Sequence, residues 1–283
     1  MPDLSFDPPM SRCEFCKSAD LVHHFTDFKG IEISLCNHCK VQFMNPQYTS
    51  QYLEKFYSTY QKRESQHHRY KSDDEPREYV HNRNIADIEK YVNPGKFLSV
   101  GCGAGHDLVV AQRRNWRAEG YEVDVDYAEK LSQRLKMPVH SGNFTEMTFP
   151  QTTYDCLYLN HVIEHPKKPA AYLKKCHQLL KDSGALYIAC PNIAAFSIKI
   201  KKLLEKLGVK NKKGTYYDTW QHLFYYSPPV MKHILAEYGF RVVSVGNDQK
   251  FKPDQSKVSR KLTEMQSRMI PYKSSFRMIA LKC

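Results

Sequence analysis

The segment KFLSVGCGAGHDLVVAQRR, residues 96–114, limits the possible folds more than any other stretch of this chain. Phe97 to Val100 form a short apolar run that reads as a buried strand. Gly101, Gly103 and Gly105 then mark a turn, and a helix is expected from His106. A strand–turn–helix with glycines at these places lets backbone approach a ligand where side chains would collide. WRAEGYEVD (116–124) predicts a second strand ending at Glu122, about twenty residues past the turn, where a carboxylate can accept hydrogen bonds from ribose hydroxyls. SGNFTEMTFP (141–150) carries a third signal. YDCLYLNHVIEH (154–165) predicts a strand ending in a polar cluster, followed by a helix over 170–181, a Ser183-Gly184 turn and a strand, ALYIACPN, that stops at Pro191. FRVVSVGN and SSFRMIALKC are expected as the last strands, an antiparallel pair. Alternating strands and helices at this spacing predict an α/β fold with a doubly wound parallel sheet and ligands at the carboxyl ends of its strands.

The 283 residues, 41% of them apolar, suffice for one medium catalytic domain and a small accessory module. No run approaches the roughly 20 apolar residues of a membrane span, and the first ten residues, MPDLSFDPPM, do not read as a signal peptide, so a cytoplasmic protein is expected. Cys13-x2-Cys16 and Cys36-x2-Cys39, nineteen residues apart, aim four thiolates at one point, the donor set of a structural Zn²⁺. With four of the nine cysteines on metal, Cys102, Cys156, Cys176, Cys190 and Cys283 are expected to be reduced. The resulting division is a zinc ribbon over 1–48, a helical cap or linker over 49–90, and a catalytic domain over 91–283 with a substrate-side insertion at 194–220. Within the linker, 51–60 reads as a helix and 61–78 as a polar linker or mobile cap. Few basic residues lie between Cys13 and Cys39, which favours docking or substrate capping over nucleic-acid contact as the ribbon's role.

From about Lys96 to Phe240 the motif order resembles the class I, Rossmann-like S-adenosylmethionine-dependent methyltransferases, in particular the branch of ubiquinone O-methyltransferases and bacterial glycan or natural-product methyltransferases. VGCGAG stands for the cofactor turn, Glu122 for the ribose ligand, and Asn143-Phe144 for the residues beside the adenine. NHVIEH with Pro169, Pro191-Asn192, QHLFYYSP and YGF follow in the family's order. Similar bacterial enzymes often begin with a zinc ribbon and an NP dipeptide, here Asn45-Pro46. The resemblance implies S-adenosylmethionine as cofactor, with Ser99, Gly101, Gly103, Gly105, Glu122, Asn143, Phe144 and Asn160 around it. Ser99 departs from the pattern, because the family commonly has an acidic residue there to fix the cofactor's methionine end. Weaker affinity, or compensation elsewhere, is expected. An NAD-dependent enzyme would show GxGxxG and have no use for the IEH motif.

Methyl transfer from a sulfonium mainly requires alignment and exclusion of water, with a base when the acceptor is a hydroxyl. His161, Glu164 and His165 follow the strand end, and His165 or His161 is the expected proton acceptor. With His222 these residues also form a potential divalent-metal set. It is similar to the Glu-x2-Glu-His plus distal His arrangement of small-RNA terminal 2′-O-methyltransferases, and imidazoles favour a transition metal over Mg²⁺.

The net charge of +12 is concentrated in two segments, 199–213 with seven lysines against one glutamate, and 250–283 with nine Lys or Arg against two acids. In 194–213, Phe196, Ile200, Leu203, Leu204 and Leu207 share one helical face. That face reads either as a helix packed over the cleft or as an interfacial helix over 196–213 meeting an anionic membrane surface. Three functions follow: methylation of a small molecule or glycan, a lipid-linked one included; methylation of RNA, which predicts salt-sensitive binding; or a non-catalytic cofactor-fold binding protein.

Overall fold

The computed structural model describes residues 4–66, 75–149, 152–209, 212–248 and 273–283. Its two CxxC turns fold as matching knuckles. The Lys17 N–H donates to the Cys13 carbonyl at 3.0 Å and the Lys40 N–H to the Cys36 carbonyl at 2.9 Å, and both lysines are left-handed. The knuckles flank an antiparallel sheet of β1 (Leu21–Thr26), β2 (Glu32–Cys36) and β3 (Gln42–Met44). Next come α1 (Ser50–Gln66) and α2 (Glu75–Ile88). The polar linker read at 61–78 thus lies partly in helix, with 67–74 outside the described residues. Apolar periodicity misses α2 because polar groups do much of its anchoring. Ile85 and Ile88 are fully buried, but the Asn84 amide donates to the Tyr158 hydroxyl at 3.1 Å, and the His81 ring meets the same hydroxyl at 2.9 Å.

From β4 (Lys96–Val100) the chain alternates through α3 (His106–Arg113), β5 (Arg117–Glu122), α4 (Val125–Leu135), β6 (Val139–Ser141), β7 (Tyr154–Asn160), α5 (Pro169–Leu179) and β8 (Leu180–Pro191). After α6 (Phe196–Lys206), β9 (Phe224–Tyr225) and α7 (Pro228–Glu237), it closes with β10 (Phe240–Asn247) and β11 (Ser275–Lys282). The large sheet runs β10-β11-β8-β7-β4-β5-β6. Strands β4 to β8 pair in parallel, and β11 lies antiparallel to both β8 and β10. Phe97, Leu98, Ser99 and Val100 are all buried, as a central strand covered on both faces requires. The helix read over 170–181 ends at Leu179. Lys181 to Gly184 instead form an irregular start to β8, where the register jumps from Tyr154↔Leu180 to Cys156↔Ala185 and Ser183 is left-handed.

The small sheet is completed from across the chain, since β9 pairs antiparallel with β3 (Gln42↔Tyr225, Phe43↔Phe224). Around this seam the Tyr48 hydroxyl donates to the Thr219 carbonyl at 2.8 Å, and the Thr219 hydroxyl to Asp27 at 2.6 Å. Phe15, Phe43, Phe224 and Tyr226 join the ribbon's apolar side to the core beneath the large sheet as one cluster. The ribbon is therefore docked by main-chain pairing as well as by packing.

Candidate active site

The left-handed Gly101, Gly103 and Gly105 carry β4 into α3. A Cβ on Gly101 would lie 2.7 Å from Val162 Cγ2, whereas one on Gly103 meets nothing within 4 Å, leaving that side of the turn open to a ligand. The Gly103 N–H donates to Glu122 Oε1 at 2.6 Å, so the strand-end carboxylate and the glycine turn touch as the sequence implies. Burial raises the Glu122 pKa, although the Gly103 and Val123 amides favour its ionised form.

Ser99 is buried, and its hydroxyl donates to Asp107, in the first turn of α3. Burial pushes the Asp107 carboxyl up to about 7 despite that hydrogen bond. A carboxyl eight residues later thus lies in hydrogen-bond contact with Ser99, which stands where the family commonly has an acid. The sequence reading missed Asp107, whose signal would have been an acid in the first turn of the helix after the glycines. An open glycine turn with Glu122 on one side and Asp107 on the other fits a ligand bearing ribose hydroxyls and an ammonium group, as S-adenosylmethionine does.

A cavity of about 1070 Å³ lies over the carboxyl ends of the parallel strands, lined by Tyr57 of α1, Asp124, Asn143, His165, Lys168 and Tyr172 among others. Asn143 stands at its edge with Oδ1 accepting from the Thr145 amide and hydroxyl. Phe144 does not line it. Its ring is fully buried against Tyr121 and Tyr172, with centroids 5.1 and 5.0 Å away, so only the Phe144 backbone is placed to meet a base. Asn160, half-buried, ends β7 opposite Ala189. Among the described residues, none of 194–220 borders the cavity; α1 supplies that wall.

Beyond β7 the polar residues separate into two roles. The left-handed His161 has Nε2 3.1 Å from Asp248 Oδ2 and Nδ1 3.4 Å from Glu164 Oε1. Burial alone would lower its pKa, but the two carboxylates outweigh it and raise it to about 9. A charged, paired imidazole is no proton acceptor near neutrality, so His161 leaves the list of candidate bases. His165 differs, because its Nδ1 donates to the Gln221 carbonyl at 3.0 Å and Nε2 then carries the lone pair.

Glu164 is buried, and among the described residues neither of its carboxylate oxygens has a hydrogen-bond partner. Burial would raise its pKa, yet the neighbouring imidazoles bring it to about 2. Burial first, then the neighbouring His165 ring, lowers His222 to about 4, so it is neutral. Ligand atoms of Glu164, His165 and His222 all lie within 4.8 Å of one another, as do the sulfurs of Cys13, Cys16, Cys36 and Cys39. The four sulfurs are thiols at disulfide-excluding distances of 3.5 Å (Cys13–Cys39 and Cys16–Cys36), which fits tetrahedral Zn²⁺. The ribbon is also tied to the Glu164–His165–His222 cluster, since the Leu223 and Phe224 amides, at the start of the strand that pairs with β3, donate to the Glu164 carbonyl.

A family model described as "Methyltransferase domain" matches residues 66–245. A Mycobacterium tuberculosis protein named a probable S-adenosylmethionine-dependent methyltransferase is 30% identical over 102 residues, 35% of this chain and 37% of that protein's length. An S-adenosylmethionine-dependent methyltransferase from Archaeoglobus fulgidus superposes with TM-score 0.51 at 21% identity over 73% of this chain and 94% of its own. The 1,6-didemethyltoxoflavin-N1-methyltransferase of Burkholderia thailandensis, solved with 1,6-didemethyltoxoflavin and S-adenosylhomocysteine, superposes with TM-score 0.53 at 15% identity over 92% and 98%. The two solved structures establish the shared fold.

Proposed function

The chain belongs to the methyltransferase-domain family, whose cofactor is S-adenosylmethionine, and from that premise we propose that it methylates a hydroxyl of a small molecule or glycan, with His165 as the base. The carrying observation is the fixed tautomer of His165. The Gln221 carbonyl holds Nδ1–H, which leaves the lone pair on Nε2, 4.0 Å from Glu164 Oε1, on an imidazole that borders the cavity. The cofactor supplies the electrophilic methyl group. Gly103 offers it open backbone, Glu122 the ribose acceptor and Asp107 a carboxylate for the amino group. With the cofactor bound, Leu53 and Tyr57 of α1, which line the cavity, would help to keep water from the sulfonium.

Calorimetric titration of the zinc-loaded protein with S-adenosylmethionine tests the first half, with binding expected in the wild type and lost in Glu122→Ala. Once an acceptor panel of phenols, catechols and nucleotide sugars yields turnover, His165→Ala should abolish it while leaving cofactor affinity intact. Full turnover in that variant overturns the assignment of the base.

The convergence of Glu164, His165 and His222 favours a second reading, in which these residues hold a divalent transition metal. The orphaned carboxylate and two imidazoles fit such an ion, which would acidify a vicinal diol, including the terminal ribose of an RNA. Uptake of a second equivalent of Co²⁺ by zinc-loaded protein, lost in Glu164→Gln, supports it, and saturation at one metal excludes it. The basic stretch that motivates an RNA acceptor, 250–283, falls largely on residues outside those described.

A further inference from the structure

Helix α6 turns Ile198 and Glu205 inward and leaves most of its apolar side chains exposed. Phe196, Ile200, Leu203 and Leu207 are 61%, 44%, 56% and 65% exposed, and Val209 just beyond is 68% exposed. The sole acid of 199–213, Glu205, is buried and accepts from the Gly214 amide at 3.0 Å and the Tyr216 hydroxyl at 3.2 Å. The solvent side of the helix therefore shows apolar side chains flanked by the exposed Lys199 and Lys206, with no negative charge among them.

The same Glu205 contact brings the following loop against the ribbon, where the Phe28 N–H donates to the Lys213 carbonyl at 3.0 Å. Phe28 and Trp220 are both partly exposed. Lys29 Nζ lies 4.0 Å from the Trp220 ring centroid, and Lys212 Nζ lies 5.8 Å from that of Phe28.

We propose that α6 and the adjoining ribbon turn form a docking surface for an anionic lipid bilayer. Apolar side chains between lysines match a headgroup layer over hydrocarbon: the apolar groups enter the acyl boundary while lysine stems leave their ammonium groups at the phosphates. Nucleic acid would use the lysines but leave the aliphatic row in water. A second copy would set one lysine-rich face against another. The surface lies apart from the cavity lining, so its occupant is independent of the chemistry proposed above.

Flotation of the full, zinc-loaded chain with phosphatidylcholine vesicles, with or without an equal part of phosphatidylglycerol, tests the proposal. The protein should float with the anionic vesicles and not with the neutral ones. The triple variant Phe196→Ser/Leu203→Ser/Leu207→Ser should lower the bound fraction at least tenfold while its melting curve and S-adenosylmethionine titration stay nearly unchanged, because these side chains are more than half exposed and lie outside the cavity lining. Lys199→Glu/Lys206→Glu should weaken binding as well. Failure of the wild type to float, or flotation indifferent to the triple substitution, overturns the proposal. So does a dimer in sedimentation velocity that the triple substitution dissolves.

Discussion

Replacing His161 by Gln removes the cation between Glu164 and Asp248 and leaves two buried carboxylates facing each other. A rise in the imidazole pKa from 6.5 to about 9 corresponds to about 3 kcal/mol of additional affinity for the proton in the folded state. The sign follows from which state holds the proton more tightly. This stabilisation is fully present below the unfolded value of 6.5 and is lost as pH rises through about 9. His161→Gln should therefore cost about 3 kcal/mol near pH 6, or roughly 6–12 °C in melting temperature for a chain of this size, and little near pH 10, where the wild-type imidazole is itself neutral. The assay is a set of circular-dichroism melts of both proteins across that interval, with zinc retained throughout. A deficit of equal size at both ends, or one that grows with pH, would refute the charged His161 and return it to the candidate bases.

Asp107→Asn should weaken S-adenosylmethionine binding roughly tenfold or more, the loss of one charge-assisted hydrogen bond. Wild-type affinity should fall as pH drops below about 7, where Asp107 takes up a proton, and the variant's should not; a flat wild-type titration removes Asp107 from the cofactor site. Gly101→Ala and Gly103→Ala both place a side chain at positive φ, at about 1–2 kcal/mol each. Melts should show the greater loss for Gly101, which also clashes with Val162, and calorimetry the greater loss of cofactor affinity for Gly103. Cys36→Ser should cost at least several kcal/mol of stability and lower turnover more than cofactor affinity, because the ribbon holds β9 and the His165–Glu164–His222 cluster, while the cofactor turn rests on β4. Thermal scans paired with calorimetry check both halves.

Features carried by local spacing were legible in the sequence: the glycine turn, Glu122 at the end of β5, the four thiols and the order of strands. Features depending on which way a side chain turns in three dimensions were not. Asp107 reaches Ser99 only because α3 begins one residue earlier, and Phe144 faces the core because Tyr121 and Tyr172 enclose it. His161 takes its charge from Asp248, just past the end of β10 and 87 residues away, which no local pattern links to it. The apolar stripe of α6 was visible, yet a stripe does not say which side faces the protein. Its burial was decided by Glu205 and its contacts at Gly214 and Tyr216.

The seam between β3 and β9 also shapes how this protein must come into being. Residues 42–43 leave the ribosome long before 224–225, so the four-cysteine module waits with an unpaired strand edge through most of synthesis. Closing that seam is a contact of high sequence separation and belongs to the slow part of folding. The ribbon is for the same reason no interchangeable cassette, since any domain transplanted in its place would have to bring an edge that β9 can complete.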